Sequence, residues 1–113
     1  MIVELDIFSG RPNPQWTLDD PACRAVLDLE RSLAPGAASP GQPPPPLGYR
    51  GFLYAPSGDD PRRAFLGRVE RADRVLDDPE FSIERLLLRS LPPELAPLGE
   101  RIAPLLEARP RPD

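Results

Sequence analysis

Ile2-Val3-Glu4-Leu5-Asp6-Ile7-Phe8 alternates side-chain character at every step, so an extended chain puts Val3, Leu5 and Ile7 on one face and Glu4 and Asp6 on the other. That two-residue period predicts a strand with one face on a core. Ser9-Gly10-Arg11-Pro12-Asn13-Pro14 ends it, because Gly10 admits positive φ and the residues before each proline are held extended. Gln15-Trp16-Thr17-Leu18 then predicts a short second strand, and Asp19-Asp20-Pro21 a helix start with Asp20 as N-cap and Pro21 at N1. The helix is expected to reach about Leu33, with Ala22, Val26, Leu29 and Leu33 on its apolar stripe.

Further along, residues 34–46 contain no large apolar side chain and predict a polyproline-rich linker. Leu47-Gly48-Tyr49-Arg50-Gly51-Phe52-Leu53-Tyr54 predicts a strand weakened by two glycines, with Arg50, Phe52 and Tyr54 on one face and Tyr49 and Leu53 on the other. Pro56 to Arg63 reads as a turn and Ala64 to Val69 as one more strand. Asp77-Asp78-Pro79 repeats the helix start ahead of Phe81 to Leu91, where Ile83, Leu86, Leu87 and Ser90 mark the buried side. After Pro92-Pro93, Leu95, Leu98, Ile102, Leu105 and Leu106 recur at helical spacing, and Pro97 and Pro104 predict a kinked or segmented helix. Strands and helices mix without a strand-helix-strand repeat. The expected fold is α+β, a small largely antiparallel sheet with two or three helices packed on one face. It forms a single domain over 1–108, with the proline-rich linker at 34–46 inside it and a disordered tail at 109–113.

Composition narrows the chemistry. The 113 residues include 18 prolines and no histidine, all 14 basic residues are arginine, and Cys23 is the one thiol. Ser-His-Asp and Cys-His nucleophilic sites, Schiff-base lysines, histidine-ligated metals, cysteine-rich zinc sites and intramolecular disulfides are all excluded. No cofactor or metal is expected. The net charge of −4, shared evenly between the two halves of the chain, gives nucleic acid or an anionic membrane no basic field to find. The longest aliphatic run, Leu86-Leu87-Leu88, is far short of a membrane span, and residues 1–9 carry neither a basic nor a long apolar leader segment. A soluble, cytoplasmic protein is the expectation.

Several residues invite a functional reading beside a structural one. Glu4 and Asp6, two apart on a strand, share a face about 7 Å apart, which suits acid-base work or a hard cation, and equally ion pairs with arginines on a neighbouring strand. Arg11 and Asn13 sit between glycine and prolines, a stiff loop that presents a planar cation and an amide to a carboxylate, phosphate or carbonyl, or that bonds its own neighbours as a turn. Arg50, flanked by Gly48 and Gly51, is open either to a ligand or to an ion pair with Glu4 or Asp6 across adjacent strands. Trp16 and Tyr49 are the aromatic contact residues nearest these groups. Asp-Asp-Pro recurs at 19–21, 59–61 and 77–79, where the first and last read as helix caps rather than metal ligands. Cys23, without a histidine or lysine, reads as a small packed thiol.

Glu4-x-Asp6-x-Phe8-Ser9-Gly10-Arg11-Pro12-Asn13-Pro14-x-Trp16, together with Leu47-Gly48-Tyr49-Arg50-Gly51-Phe52, resembles a family of small uncharacterised bacterial proteins that share these two blocks. The resemblance spans the opening and the middle of the chain and implies no activity, ligand or partner. The residues themselves favour a non-enzymatic binding or accessory module. It would recognise an anionic small molecule, peptide or protein through the Arg11, Asn13, Trp16, Tyr49 and Arg50 surface. The alternatives are a small enzyme using Glu4 or Asp6 as base with Arg11 or Arg50 steadying an anion, and a homo-oligomer joined through the leucine-rich C-terminal helix.

Overall fold

A computed structural model describes residues 1–7, 12–36, 48–56, 58–72 and 74–107. Within them seven strands form one open antiparallel sheet: β1 (Ile2–Leu5), β2 (Gln15–Thr17), β3 (Ala34–Pro35), β4 (Phe52–Tyr54), β5 (Arg62–Phe65), β6 (Arg68–Arg71) and β7 (Arg74–Asp77), in the order β2-β1-β4-β5-β6-β7-β3. Helices α1 (Asp20–Ser32), α2 (Ser82–Arg89) and α3 (Ala96–Glu107) complete the expected α+β fold, with α2 packed against both other helices.

Register explains how the core is assembled. Val3 pairs with Trp16 on one side and Tyr54 on the other, and Leu5 pairs with Phe52, which pairs in turn with Ala64. These side chains, with Val69, form one buried sheet face that meets Val26 of α1, Ile83 and Leu87 of α2, and Ile102 and Leu106 of α3. The opposite face carries Glu4, Leu53, Arg63, Glu70 and Val75 in a row across β1, β4, β5, β6 and β7. Strand alternation therefore separates the face that meets the helices from the face that turns away from them.

Local chemistry sets the boundaries. The N-cap of α1 is Asp19, not Asp20: its side chain accepts from the Ala22 amide at 2.9 Å, which moves Asp20 and Pro21 into the first turn. Asp78 caps α2 from outside the helix, accepting from the Ser82 amide at 3.0 Å and the Ile83 amide at 2.9 Å, while Phe81 takes left-handed φ 55° between them. The buried side of α2 is Ile83, Glu84 and Leu87 rather than the expected set, with Leu86 and Ser90 half-buried. A short 3-10 turn at Pro93–Leu95 precedes α3, which runs through Pro104 as one helix.

Four expectations about the strands and the linker change as well. First, β1 ends at Leu5, although the Asp6 amide still donates to the Gly51 carbonyl at 3.0 Å. Second, the stretch read as one strand from Ala64 to Val69 is a hairpin. Leu66 (φ 47°) and Gly67 (φ 85°) form its two-residue turn, and a Cβ on Gly67 would stand 2.7 Å from the Phe81 ring. The same hairpin draws Arg62 and Arg63 out of the predicted turn into β5, and β7 follows where no strand was read. Third, the linker expected at 34–46 begins as β3, since Ala34 and Pro35 pair with Asp77 and Leu76 and the Gly36 amide donates to the Val75 carbonyl at 2.7 Å. The remainder of that stretch lies outside the described residues, as does the 109–113 tail. Fourth, alternation through 49–54 breaks at Gly51 (φ 104°), where a Cβ would lie 2.5 Å from the Ala64 carbonyl oxygen. Tyr49, Phe52 and Tyr54 thereby all reach the core, and Arg50 does not.

Candidate functional site

The charged face of the sheet centres on Asp6, only 6% exposed. One Asp6 oxygen accepts from Arg50 at 2.7 Å and from Asn13 Nδ2 at 3.2 Å, and the other accepts from Arg63 at 2.7 Å. Asn13 Nδ2 also donates to Glu4 at 3.0 Å, its Oδ1 accepts from the Ile7 amide at 3.1 Å, and Gln15 donates to the second Glu4 oxygen at 2.8 Å. Arg63 further donates to the Arg50 carbonyl at 2.7 Å. Burial by itself would raise the Asp6 carboxyl, but its hydrogen bond from Arg63 and the nearby Arg50 charge hold it below the ordinary carboxylate range. A base needs an oxygen open to a proton. Here both oxygens are engaged and the anion is favoured.

Of the sequence-predicted residues, Glu4, Asp6, Asn13 and Arg50 thus come together, and Arg50 takes the Asp6 ion pair. Asn13 fastens β1 to the segment that leads into β2, which is the turn role the sequence left open. Arg11 lies outside the described residues. Trp16 and Tyr49 stand apart, in the core. The indole N–H of Trp16 donates to Ser90 Oγ at 2.9 Å, and its ring meets Phe52 edge-on at 6.2 Å. The Tyr49 hydroxyl donates to Glu84, whose other oxygen accepts from the Gly67 amide at 2.8 Å. Burial and the adjacent carboxylate push the Tyr49 hydroxyl well above the ordinary phenol range, and burial raises the Glu84 carboxyl.

A second charged centre lies on the helix side, and sequence reasoning missed it. Arg62 and Arg71 are directly opposed partners of β5 and β6, a like-charge pair that needs an anion between them. Glu30 of α1 supplies it: one oxygen accepts from Arg62 Nε at 3.0 Å and from Arg71 at 3.4 Å, and the other accepts from the Tyr54 hydroxyl at 3.1 Å. Arg62 is 2% exposed and Glu30 6%, so both charges are held out of water by each other. Asp59, from the β4–β5 connection, spans the same two guanidinium groups at 3.1 Å from Arg62 and 3.1 Å from Arg71. The sequence signal for this centre is Glu30 itself, which falls four residues after Val26 on the stripe that faces the sheet.

Above this centre opens a groove of about 360 Å³ between the C-terminal half of α1 and strands β5, β6 and β7. Arg31, Arg62, Arg71 and Arg74 line it together with Glu30 and Asp59, and Leu27, Leu33, Pro56 and Leu76 supply apolar wall. Arg31 is paired with Asp28 one turn back on α1 at 3.2 Å, whereas exposed Arg74 has no ion pair among the described residues. A cleft of this size falls at the small end of ligand pockets, and its arginine excess suits an anion.

Among the described residues no group of three or more acidic or cysteine side chains is placed to hold a metal ion, and no helix is long and apolar enough to cross a membrane. Comparison with family models, curated proteins and solved structures returned no match.

Proposed function

We propose that the protein is a non-enzymatic binding module for an anionic ligand, and that its site is the groove beside α1 rather than the Arg11–Arg50 surface. One observation carries this reading: four arginines line a 360 Å³ cleft alongside two carboxylates. Two of those arginines are already oriented by Glu30 and Asp59, so little side-chain entropy is lost when an anion arrives. The exposed Arg74 adds a cation at the mouth. Against catalysis at Asp6 stands its tightly held anionic carboxylate, a weak proton acceptor. Against assembly through the C-terminal helix stands the burial of Ile102 and Leu106 within the chain's own core.

Amide NMR titration of the intact protein with sodium citrate, inorganic phosphate and hexanoate at constant ionic strength tests the reading. At least one anion should shift resonances of residues 27–33 and 71–76 in a saturable manner, and Arg74→Gln should weaken that response severalfold. Saturable shifts confined to residues 4–6, 13 and 50 would move the site to the opposite face, and no saturable response to any anion would remove the proposal.

A further inference from the structure

Resting on the groove as the binding site, we infer that the Asp59 carboxylate occupies the seat of the ligand's own carboxylate, and that the ligand is an aliphatic carboxylic acid. Arg62 and Arg71 differ in what they need from Asp59. Arg62 is buried and already holds Glu30 through Nε and the Asp60 carbonyl through a terminal nitrogen. Arg71 is about 30% exposed and reaches Glu30 only at 3.4 Å, so its best anion contacts are the two Asp59 oxygens at 3.1 and 3.3 Å. Glu30 is the built-in counterion of the centre. Asp59 is a second carboxylate added from a loop, itself 40% exposed.

A carboxylate bridging two guanidinium groups is the arrangement in which arginine recognises a planar two-oxygen anion. Asp59 is tethered there, and any external carboxylate must displace it. The rest of the cleft indicates what the displacing molecule carries behind its carboxylate. Leu27 and Leu33 from α1, Pro56 from the connection and Leu76 from β7 give the groove an apolar wall that a short hydrocarbon body can cover, while the seat itself, filled by Asp59, fits a planar carboxylate. The chemistry is shared by a free short-chain acid and by the C-terminal leucine of a polypeptide.

The experiment compares wild type, Asp59→Asn and Asp59→Ser by calorimetric and NMR titration with hexanoate, acetate, inorganic phosphate and a leucine-ended tripeptide in acid and amide forms. Thermal unfolding of each variant confirms that the fold is retained, and the serine variant serves if the asparagine variant does not fold. If Asp59 holds its seat about nine-tenths of the time, removing it tightens the carboxylate ligand roughly tenfold. Hexanoate should then exceed acetate and phosphate, and the tripeptide acid should exceed its amide if a polypeptide terminus is the natural source. Binding that is lost in Arg74→Gln yet unchanged by both Asp59 variants would keep the groove and overturn the role of Asp59. Phosphate binding more tightly than hexanoate would overturn the ligand class, and the absence of binding in every variant would overturn both this inference and the groove itself.

Discussion

Arg62 and Arg63 are adjacent in β5 and identical in chemistry, yet each serves a different carboxylate on a different face of the sheet. Arg63 points to the open face and closes on Asp6, together with Arg50. Arg62 points under α1 and closes on Glu30, together with Arg71. Both centres place one buried carboxylate against two guanidinium groups, and the difference lies in their surroundings. Around Asp6 the neighbours are Glu4, Asn13 and Gln15, side chains that use up one another's hydrogen bonds and join β1, β2, β4 and β5 into a clasp. Around Glu30 the neighbours include an exposed loop carboxylate and an open cleft. The same ionic motif is enclosed by its neighbours in one place and borders an open cleft in the other. Its accessibility, not its composition, separates the two.

The most drastic way to break this comparison is to remove the deeper anion. Glu30→Leu leaves Arg62 buried with only part of its counter-charge, and should cost about 3–5 kcal/mol in urea unfolding, the usual penalty for one partner of a buried pair. Glu30→Leu combined with Arg62→Met should recover most of that loss, because an apolar pair needs no desolvation of charge. A double variant no more stable than the single one would mean that the centre holds α1 on the sheet by its specific geometry.

Asp6→Asn is the matching change on the open face. The Arg50 and Arg63 side chains are 27% and 29% exposed, so solvent screens the lost charge, and the expected cost at neutral pH is smaller, about 2 kcal/mol. Its pH dependence has a definite sign. The folded chain lowers the Asp6 carboxyl, so its contribution is fully present above the unfolded value of about 3.9 and is lost as pH falls through the folded one. The gap between wild type and Asp6→Asn should therefore be constant near neutrality and should narrow in acid.

Glu84 sharpens the contrast with the opposite slope. Burial raises its carboxyl, so the fold holds that proton more tightly than the unfolded chain, and the stabilisation declines as pH rises from the unfolded value through the folded one. Glu84→Gln keeps a carbonyl for the Gly67 amide and a side chain that can still pair with Tyr49. Its stability relative to wild type should improve as pH is raised from about 4 toward neutrality. A flat difference would show that Glu84 titrates alike in both states.

The smallest effect concerns the proline-rich stretch. Replacing residues 37–46 by a glycine-serine segment of similar length should leave the thermal midpoint nearly unchanged, since even doubling a loop costs only about 0.6 kcal/mol. Carrying the replacement back to residue 34 should lower the midpoint measurably, because it removes the pairing of β3 with Asp77 and Leu76. Equal midpoints for the two replacements would make β3 dispensable.

Period and capping were legible along the chain because they are local. Alternation in Ile2 to Phe8 identifies the strand and puts Glu4 and Asp6 on its polar face, and the aspartates before Pro21 and Pro79 identify two helix starts through the unbonded amides that follow them. The α+β class follows from the order of those elements, and the Arg50–Asp6 pair is one of the two partners the sequence offered Arg50. Three things were decided only by tertiary structure. Leu66-Gly67 reads as continuing strand until both residues take positive φ, and only that turn sets Arg62 opposite Arg71. Gly51 lets a neighbouring carbonyl come close, and the resulting break in alternation sends Tyr49 to the core. Glu30 becomes the anion of a buried centre only when α1 lies over β5 and β6. Hydrogen bonding and side-chain period act over a few residues and are written in sequence order. Charge pairing acts through space, and its partners here, 32 and 41 residues apart, are brought together only by the register of a hairpin and the packing of a helix upon it.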